Sequence, residues 1–489
     1  MKRAWWIYLV PAGLLLAVTL PHLGQGDFRT DTARYAAVGL QAWRDPALFW
    51  TPHLQPSVPY FNKPPLALWI HGFFLHLFGI GLVSARLPSV LAAAGSVLFT
   101  VAIARRLLGR SVALVAGVIL ALTYEFFRRI REISLDMWQL CFMLMALWLV
   151  VSAAHRRLPR LGVLAGLPLG LALMSKPLMA LLLVPIVGVW GRISKEGAAS
   201  SAPREGGAKG ARPHAPLHCD AGGSRLGGLL PTIAFALLVA LPWHLSMWLL
   251  HGHDFVSQYV GREVVERAMG RLNREPPWYY AVEMGRTYWP WMLLTFAGIW
   301  HALRRPLPAR HRSALALAGI WLVVWGAALT LFPDKRPRYE LPLYPALAIV
   351  GGYGGARLPW KALRRWRRRG LPATVAIVAA AGLAAAWLPL RVQAPPDPHR
   401  SALASWALGT AASSVYSAAF STNDEGYYYL KTGGWPHPPA NPPQGAHLIY
   451  TMGLDPKPGA NEAVVFRSGP YLVTRLRAGG WQPCRRGSP

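Results

Sequence analysis

The stretch YFNKPP at 60–65 sets one ammonium, Lys63, on a stiff proline pair at the mouth of an apolar run. Five other stretches share its density of charge: DFRTDTARY (27–35), RRIREISLD (128–136), SKP (175–177), HDFVSQYVGREVVERAMGRLNREPPWYY (253–280) and PDKRPRYELPLYP (333–345). Most of them mix lysine and arginine with aspartate and glutamate, and all lie beside long apolar runs. Cations gathered in this way suit a phosphate or pyrophosphate ligand held at a membrane surface. Each residue also has an ordinary structural role. Asp31 either caps the helix that TARYAAVGLQAW forms, with Arg34 as near neighbour, or does chemistry. Asp136 opens an apolar segment, where a carboxylate favours the helix dipole. Lys63 suits a snorkelling anchor, and Arg267 a surface pair with Glu263 one helical turn earlier.

The elements that must position these residues are apolar. Candidate membrane spans fall at 5–23, 83–104, 112–127, 137–154, 161–174, 178–190, 229–250, 288–303, 314–332, 341–358 and 371–390, about eleven segments near bilayer length. No small-x-small cleavage site follows the first of them, so it is expected to be retained. The net charge of +30 would suit nucleic acid in a soluble protein. Here the arginines cluster between apolar runs, at RRLLGR (105–110), HRRLPR (155–160), LRRPLPARHR (303–312) and KALRRWRRRG (361–370), which is the positive-inside pattern of a bacterial inner-membrane protein. No nucleic-acid partner is expected.

Segment 66–80 decides the topology. As a twelfth span it would put every arginine cluster outside; as a helix lying along the outer interface it leaves them all cytoplasmic. The second arrangement is expected, with the N-terminus cytoplasmic, Lys63 at the outer membrane face and the charged loops gathered on that face. SKP divides 161–174 from 178–190, giving two thin spans or a re-entrant hairpin, and a broken helix at that depth is tolerated where it lines a cavity. Residues 192–227 form a basic Gly/Ala/Ser/Pro-rich linker. Beyond 390, AHLIYTM (446–452), EAVVFR (462–467) and PYLVTRLRA (470–478) have the pattern of strands, and 409–420 suits either a helix or a strand. The expected fold is an all-α polytopic membrane domain over 1–390, with interfacial helices, followed by a small extracytoplasmic α/β domain over 391–489. Cys141, Cys219 and Cys484 are too scattered for a disulfide framework or a metal cluster.

In this order the motifs resemble the C-type polyprenyl-phosphate-dependent glycosyltransferases, and within them the bacterial branch of lipid A aminoarabinose transferases related to protein O-mannosyltransferases. The resemblance rests on D-x-x-R-Y (31–35), KPP (63–65), ARLPSVLAA (85–93), RRLLG, S-L-D (134–136), M-S-K-P (174–177), PWH (242–244), E-x-x-x-R (263–267) and RPRYELPLYP (336–345), and covers roughly 5–390. It implies a polyprenyl-phosphate sugar bound in an outer cavity and transferred, with inversion, to a membrane lipid, glycan or protein. Lys63, Arg267 and Arg338 would then take up the charge developing on the departing phosphate. Asp31 and Asp136 match the family's acidic positions at the reaction centre; Asp31 is the candidate general base if the acceptor is a hydroxyl, and an already ionised phosphate acceptor needs none. Arg34, Tyr35, Tyr60, Lys176, Glu263 and Tyr339 would line the cavity. The chain departs from the pattern at Thr32, Asn62, Ser175 and Val264. The missing acidic partners speak against a divalent metal held between paired carboxylates there, and no cofactor is expected, although a divalent cation stays open. A lipid-linked sugar transporter or flippase, or a non-catalytic lipid-binding homologue, is the alternative from another class; the lack of internal repeats and the gathering of charge on one face favour the enzyme.

Overall fold

The computed structural model describes residues 5–28, 31–55, 58–156, 158–199, 229–271, 273–357, 397–410, 415–419, 422–437, 442–451 and 461–477. The span expected at 371–390, residues 200–227 of the expected linker, Cys219 and Cys484 lie outside them; 192–199, also expected as linker, instead continue helix Leu183–Ala199. The described residues are mostly helical, with one four-stranded sheet and a two-stranded ribbon, His53–Gln55 with Val58–Pro59. Among the described residues, four helices are long and apolar enough to cross a membrane: Leu82–Leu108, Leu135–Arg156, Leu230–Glu266 (counting its π-helical end) and Ala309–Leu331. Shorter apolar helices cover Trp6–His22, Leu66–Phe78, Pro159–Ser175 and Leu183–Ser194.

The continuous span expected at 112–127 is a departure. It forms two helices, Arg110–Ala121 and Tyr124–Ile130, bent by 56°. The break follows the charge: YEFFRRI carries Glu125, Arg128 and Arg129, which pair with one another rather than face hydrocarbon. Thr123 at the corner turns extended, and its hydroxyl donates to the Ile119 carbonyl, re-satisfying one acceptor freed there.

The chain forms two compact units. The first comprises 1–22, 61–67 and 89–391. At its centre, helix Leu343–Gly355 is buried along its whole length and packs against Arg110–Ala121 and Trp289–Arg304. Its glycines make this possible. A Cβ on Gly354 would fall 2.1 Å from the Leu294 carbonyl oxygen, and one on Gly298 would fall 2.2 Å from that of Val350. Backbones meet directly, the usual means of packing helices where lipid supplies no hydrophobic drive.

The second unit comprises 23–60, 68–88 and 392–489. Its sheet runs in the order Val415–Ala419, His447–Thr451, Tyr471–Leu476, Glu462–Ser468, with the first pair parallel and the others antiparallel. The ambiguous 409–420 segment thus supplies a strand. Helix Pro398–Leu408 and Tyr428 cover one face around Ile449 and Val473. This unit takes in more than the C-terminal segment: helix Thr422–Thr432 packs on helix Asp31–Arg44, where a Cβ on Gly426 would sit 2.8 Å from the Cα of Arg34. On the same helix, a Cβ at Gly39 would fall 2.4 Å from the Leu68 carbonyl oxygen and 3.1 Å from the backbone nitrogen of Gly72. Gly39→Val is therefore expected to force Asp31–Arg44 away from 68–78 and to destabilise the protein by about 1–3 kcal/mol or more. A lowered melting temperature of the detergent-purified variant checks this, and unchanged melting would contradict the close packing.

Candidate functional site

Within the first unit, the sequence-selected residues Lys63, Asp136, Lys176, Glu263, Arg267, Arg338 and Tyr339 form one network. Lys63 leads through Pro64 and Pro65 into helix Leu66–Phe78, and its ammonium donates to Glu263 Oε2. Both side chains are only 11% exposed, so Lys63 is an inward ion-paired group rather than a lipid-facing anchor. Glu263 also accepts from Arg267 Nε at 3.0 Å. This is the i,i+4 pair expected from the sequence, yet it is buried, at the end of a π-helical stretch Ser257–Glu266. Arg267 continues the chain, donating to Asp334 at 2.5 Å and to the Tyr339 hydroxyl at 3.2 Å.

Tyr339 joins this arm to the next. The Lys176 ammonium lies 4.3 Å from the centroid of its ring, within cation–π range, and donates to Asp136 at 2.5 Å. Arg338 approaches the other oxygen of Asp136 at 4.0 Å. Each member is held from behind. Lys176 is extended between helices Gly166–Ser175 and Pro177–Ala180, and its carbonyl accepts from the Gln139 amide. Arg338 and Tyr339 sit on the 3₁₀ turn Pro337–Glu340, and the Tyr339 carbonyl accepts from Trp325 at 3.1 Å. The neighbouring Lys335 is not part of the network. Its ammonium donates to the carbonyls of Leu329, Thr330 and Phe332, capping the C-terminus of helix Ala309–Leu331.

Lys63, Lys176, Arg267, Arg338 and Arg336, the last at 4.0 Å from Asp334, thus face three carboxylates, those of Asp136, Glu263 and Asp334. Two positive charges are left over. Most of these groups line a common cleft with Asn62 and Tyr259. An anion entering it can exchange with carboxylates already paired there, so its cations need no reorganisation to receive it. Asp334, fully buried, was not singled out from the sequence. Its place in the same charged loop as Arg338 was the only available signal.

Asp31, Arg34, Tyr35 and Tyr60 lie in the second unit. Asp31 begins helix Asp31–Arg44 and accepts from Arg34 at 2.7 Å, so the neighbour pairing expected of its structural role is present. The Arg34 guanidinium lies 5.5 Å from the Tyr35 ring centroid and 5.7 Å from that of Tyr60, and both tyrosines are buried. These contacts fix the guanidinium, and with it the carboxylate, which keeps about a quarter of its surface exposed.

Burial pushes the Lys63 ammonium down to about 7; attraction to Glu263 opposes the shift, while Lys176 and Arg267 add to it. Only the protonated form attracts a phosphate. Affinity for a polyprenyl phosphate is therefore expected to be full below neutrality and to fall as pH rises above about 7, approaching tenfold per pH unit. Lys63→Arg should flatten the profile, because arginine stays charged. A flat wild-type binding curve between about pH 6 and 9 would remove Lys63 from the anion site.

The dolichyl-phosphate-mannose-protein mannosyltransferase family matches residues 62–198. The undecaprenyl phosphate-alpha-4-amino-4-deoxy-L-arabinose arabinosyl transferase of Pseudomonas paraeruginosa is 28% identical over 367 residues, which make up 72% of this chain and 59% of that protein. The chain thus spans less than two thirds of the length of that curated relative. Among solved structures, ArnT from Cupriavidus metallidurans bound to undecaprenyl phosphate superposes with a TM-score of 0.74 at 18% identity, covering 98% of this chain and 99% of that one. The archaeal oligosaccharyltransferase AglB from Archaeoglobus fulgidus, in complex with an inhibitory peptide and a dolichol-phosphate, gives a TM-score of 0.59 at 14% identity over 88% of this chain and 63% of that one. The chain has the fold of these structures, a C-type glycosyltransferase fold with several apolar helices, and in sequence it is similar to the arabinosyl transferases, as its motifs led one to expect.

Proposed function

We propose that this protein is a bacterial inner-membrane glycosyltransferase that moves a sugar from polyprenyl phosphate, such as undecaprenyl phosphate, to an extracytoplasmic acceptor: lipid A, another glycan or a protein. The N-terminus is cytoplasmic, and the transfer site and the C-terminal α/β segment lie on the periplasmic side. The observation that carries this is the mostly buried network of five cations and three carboxylates around Lys63, whose surplus charge matches a phosphate leaving group. The relatives' names, with their undecaprenyl-phosphate donor, support the same chemistry.

In the reaction the bond between the anomeric carbon and the phosphate oxygen breaks as the acceptor oxygen attacks from the opposite face, inverting the configuration. Charge grows on the departing phosphate, and Lys63 and Arg267, with Arg338 beyond Tyr339, offset it. Lys176 and Glu263 hold these cations in place. Asp136, already paired with Lys176, orients rather than abstracts a proton. Asp31 takes the proton of a hydroxyl acceptor.

The test is transfer by the full chain purified in detergent, with labelled polyprenyl-phosphate sugars offered to lipid A, glycan and peptide acceptors. Labelled acceptor supports the proposal and identifies the acceptor class. Donor bound without transfer to any acceptor would replace it with a lipid-handling protein, and no binding would overturn both.

A further inference from the structure

The 3₁₀ turn that carries Arg338 and Tyr339 ends in Glu340, which belongs to a second network that donor binding does not use. From these residues we infer a divalent-cation site of the hard, oxygen-liganded kind (Mg²⁺, Mn²⁺ or Ca²⁺), formed by Glu125, Glu283 and Glu340.

The geometry fits a single ion. One carboxylate oxygen of each residue lies within 4.8 Å of the other two. At the upper limit of that spacing a central point lies about 2.8 Å from each oxygen, so a small inward shift of the side chains brings all three to the roughly 2.3–2.6 Å of a hard-ion ligand, and an all-carboxylate set with neither thiolate nor imidazole selects a hard ion. The three come from separate elements, Tyr124–Ile130, Tyr279–Thr287 and Pro337–Glu340, so an ion would tie together the bent corner at Thr123, a short helix and the turn holding Arg338 and Tyr339.

Burial supplies independent evidence. Glu340 is fully buried; one of its oxygens accepts from the Tyr344 hydroxyl at 2.5 Å, while Oε2 is buried with no hydrogen-bond partner. A carboxylate oxygen in that position is costly unless a ligand meets it. Charge points the same way. Glu125, also fully buried, is paired with Arg128 at 2.6 Å and with Arg129 at 2.7 Å. Arg129 is shared with Glu132 at 2.7 Å, and Arg128 reaches Glu283 only at 3.9 Å. Three carboxylates (Glu125, Glu132 and Glu283) thus meet two guanidiniums in these contacts, and Glu340 beside them adds a fourth, an excess of negative charge that a divalent ion would offset.

The site also has an entrance. A cavity of about 330 Å³ is lined by Tyr124, Arg128, Glu283, Arg286, Trp289 and Trp291. It reaches Glu283, whose side chain keeps 17% of its surface exposed. That volume admits a hydrated ion and leaves room for the waters that complete its shell.

The experiment is titration of the chelator-stripped full-length protein in detergent with Mn²⁺, read by loss of the free-ion paramagnetic resonance signal. One Mn²⁺ per chain, displaced by Mg²⁺ or Ca²⁺, is expected, with affinity weakened by about tenfold or more in Glu283→Gln and in Glu340→Gln. Tb³⁺ luminescence excited through Trp289 and Trp291 should appear in the wild type and be lost in both variants. Glu283→Gln, at the partly exposed ligand, is the milder change, and its ion-free melting temperature separates lost binding from lost folding. Absence of saturable Mn²⁺ binding, or equal binding by the double variant, would overturn the assignment. So would an infrared band of a protonated carboxyl that persists at saturating Mn²⁺ and disappears in Glu340→Gln, since a proton would then occupy the ion's place.

Discussion

Lys63→Ala lowers transfer from a polyprenyl-phosphate sugar by about 10²–10³-fold, the loss typical of removing one preorganised group from a site of developing negative charge. The network explains why the neighbours do not compensate. Lys63 and Arg267 share Glu263, and Arg267 is further engaged by Asp334. Without the ammonium, Glu263 pairs wholly with Arg267, and the surplus positive charge that would face the departing phosphate is halved. The effect belongs mainly in kcat, because charge on the phosphate oxygen grows as the bond breaks. Lys63→Arg should retain part of the activity, limited by the fit of a planar guanidinium in a cleft shaped for an ammonium. Single-turnover transfer and donor binding by the purified variants separate the two contributions. Wild-type single-turnover rates in Lys63→Ala would show that the phosphate is held elsewhere.

Much of this network is legible in the sequence. Charged loops stand out against apolar segments, and spacings such as Glu263 to Arg267 carry their own geometry. Long-range partners were not legible. That Lys63 meets Glu263, or Lys176 meets Asp136, depends on how separate helices pack, and one chain's spacing holds no record of it. Asp334 and Glu340 were hidden for a related reason. Each stands beside more conspicuous arginines, and only burial marks it as unusual. The bend at Thr123 was passed over because window hydrophobicity averages Glu125 away, although one buried carboxylate with two arginine partners is enough to end an apolar helix. The association of helix Asp31–Arg44 with the C-terminal segment depends on Gly426, a residue that does not announce a contact nearly four hundred positions away.

Asp31→Asn tells the two kinds of acceptor chemistry apart and has the second large effect. If the acceptor is a hydroxyl, loss of the general base slows transfer by about 10²–10⁴-fold with donor affinity unchanged. Asparagine keeps the shape of the side chain and its ability to accept from Arg34, so the guanidinium stays between Tyr35 and Tyr60. As a residue of the first helical turn, Asp31 also favours the helix dipole, and losing that charge costs about 0.3–1 kcal/mol, too little to unfold the protein. Gly426→Val supplies a contrasting case. It disturbs the backbone under Arg34 without changing any titrating group, so it should lower activity at every pH, whereas Asp31→Asn should remove the acidic limb of the pH–rate profile. If the acceptor is a phosphate, already ionised near neutral pH, Asp31→Asn retains most of its activity and the acidic limb stays. An acidic limb that disappears with a hydroxyl acceptor and persists with a phosphate acceptor assigns the proton transfer to Asp31. A rate unchanged with both acceptors would reduce Asp31 to the anchor of its own helix.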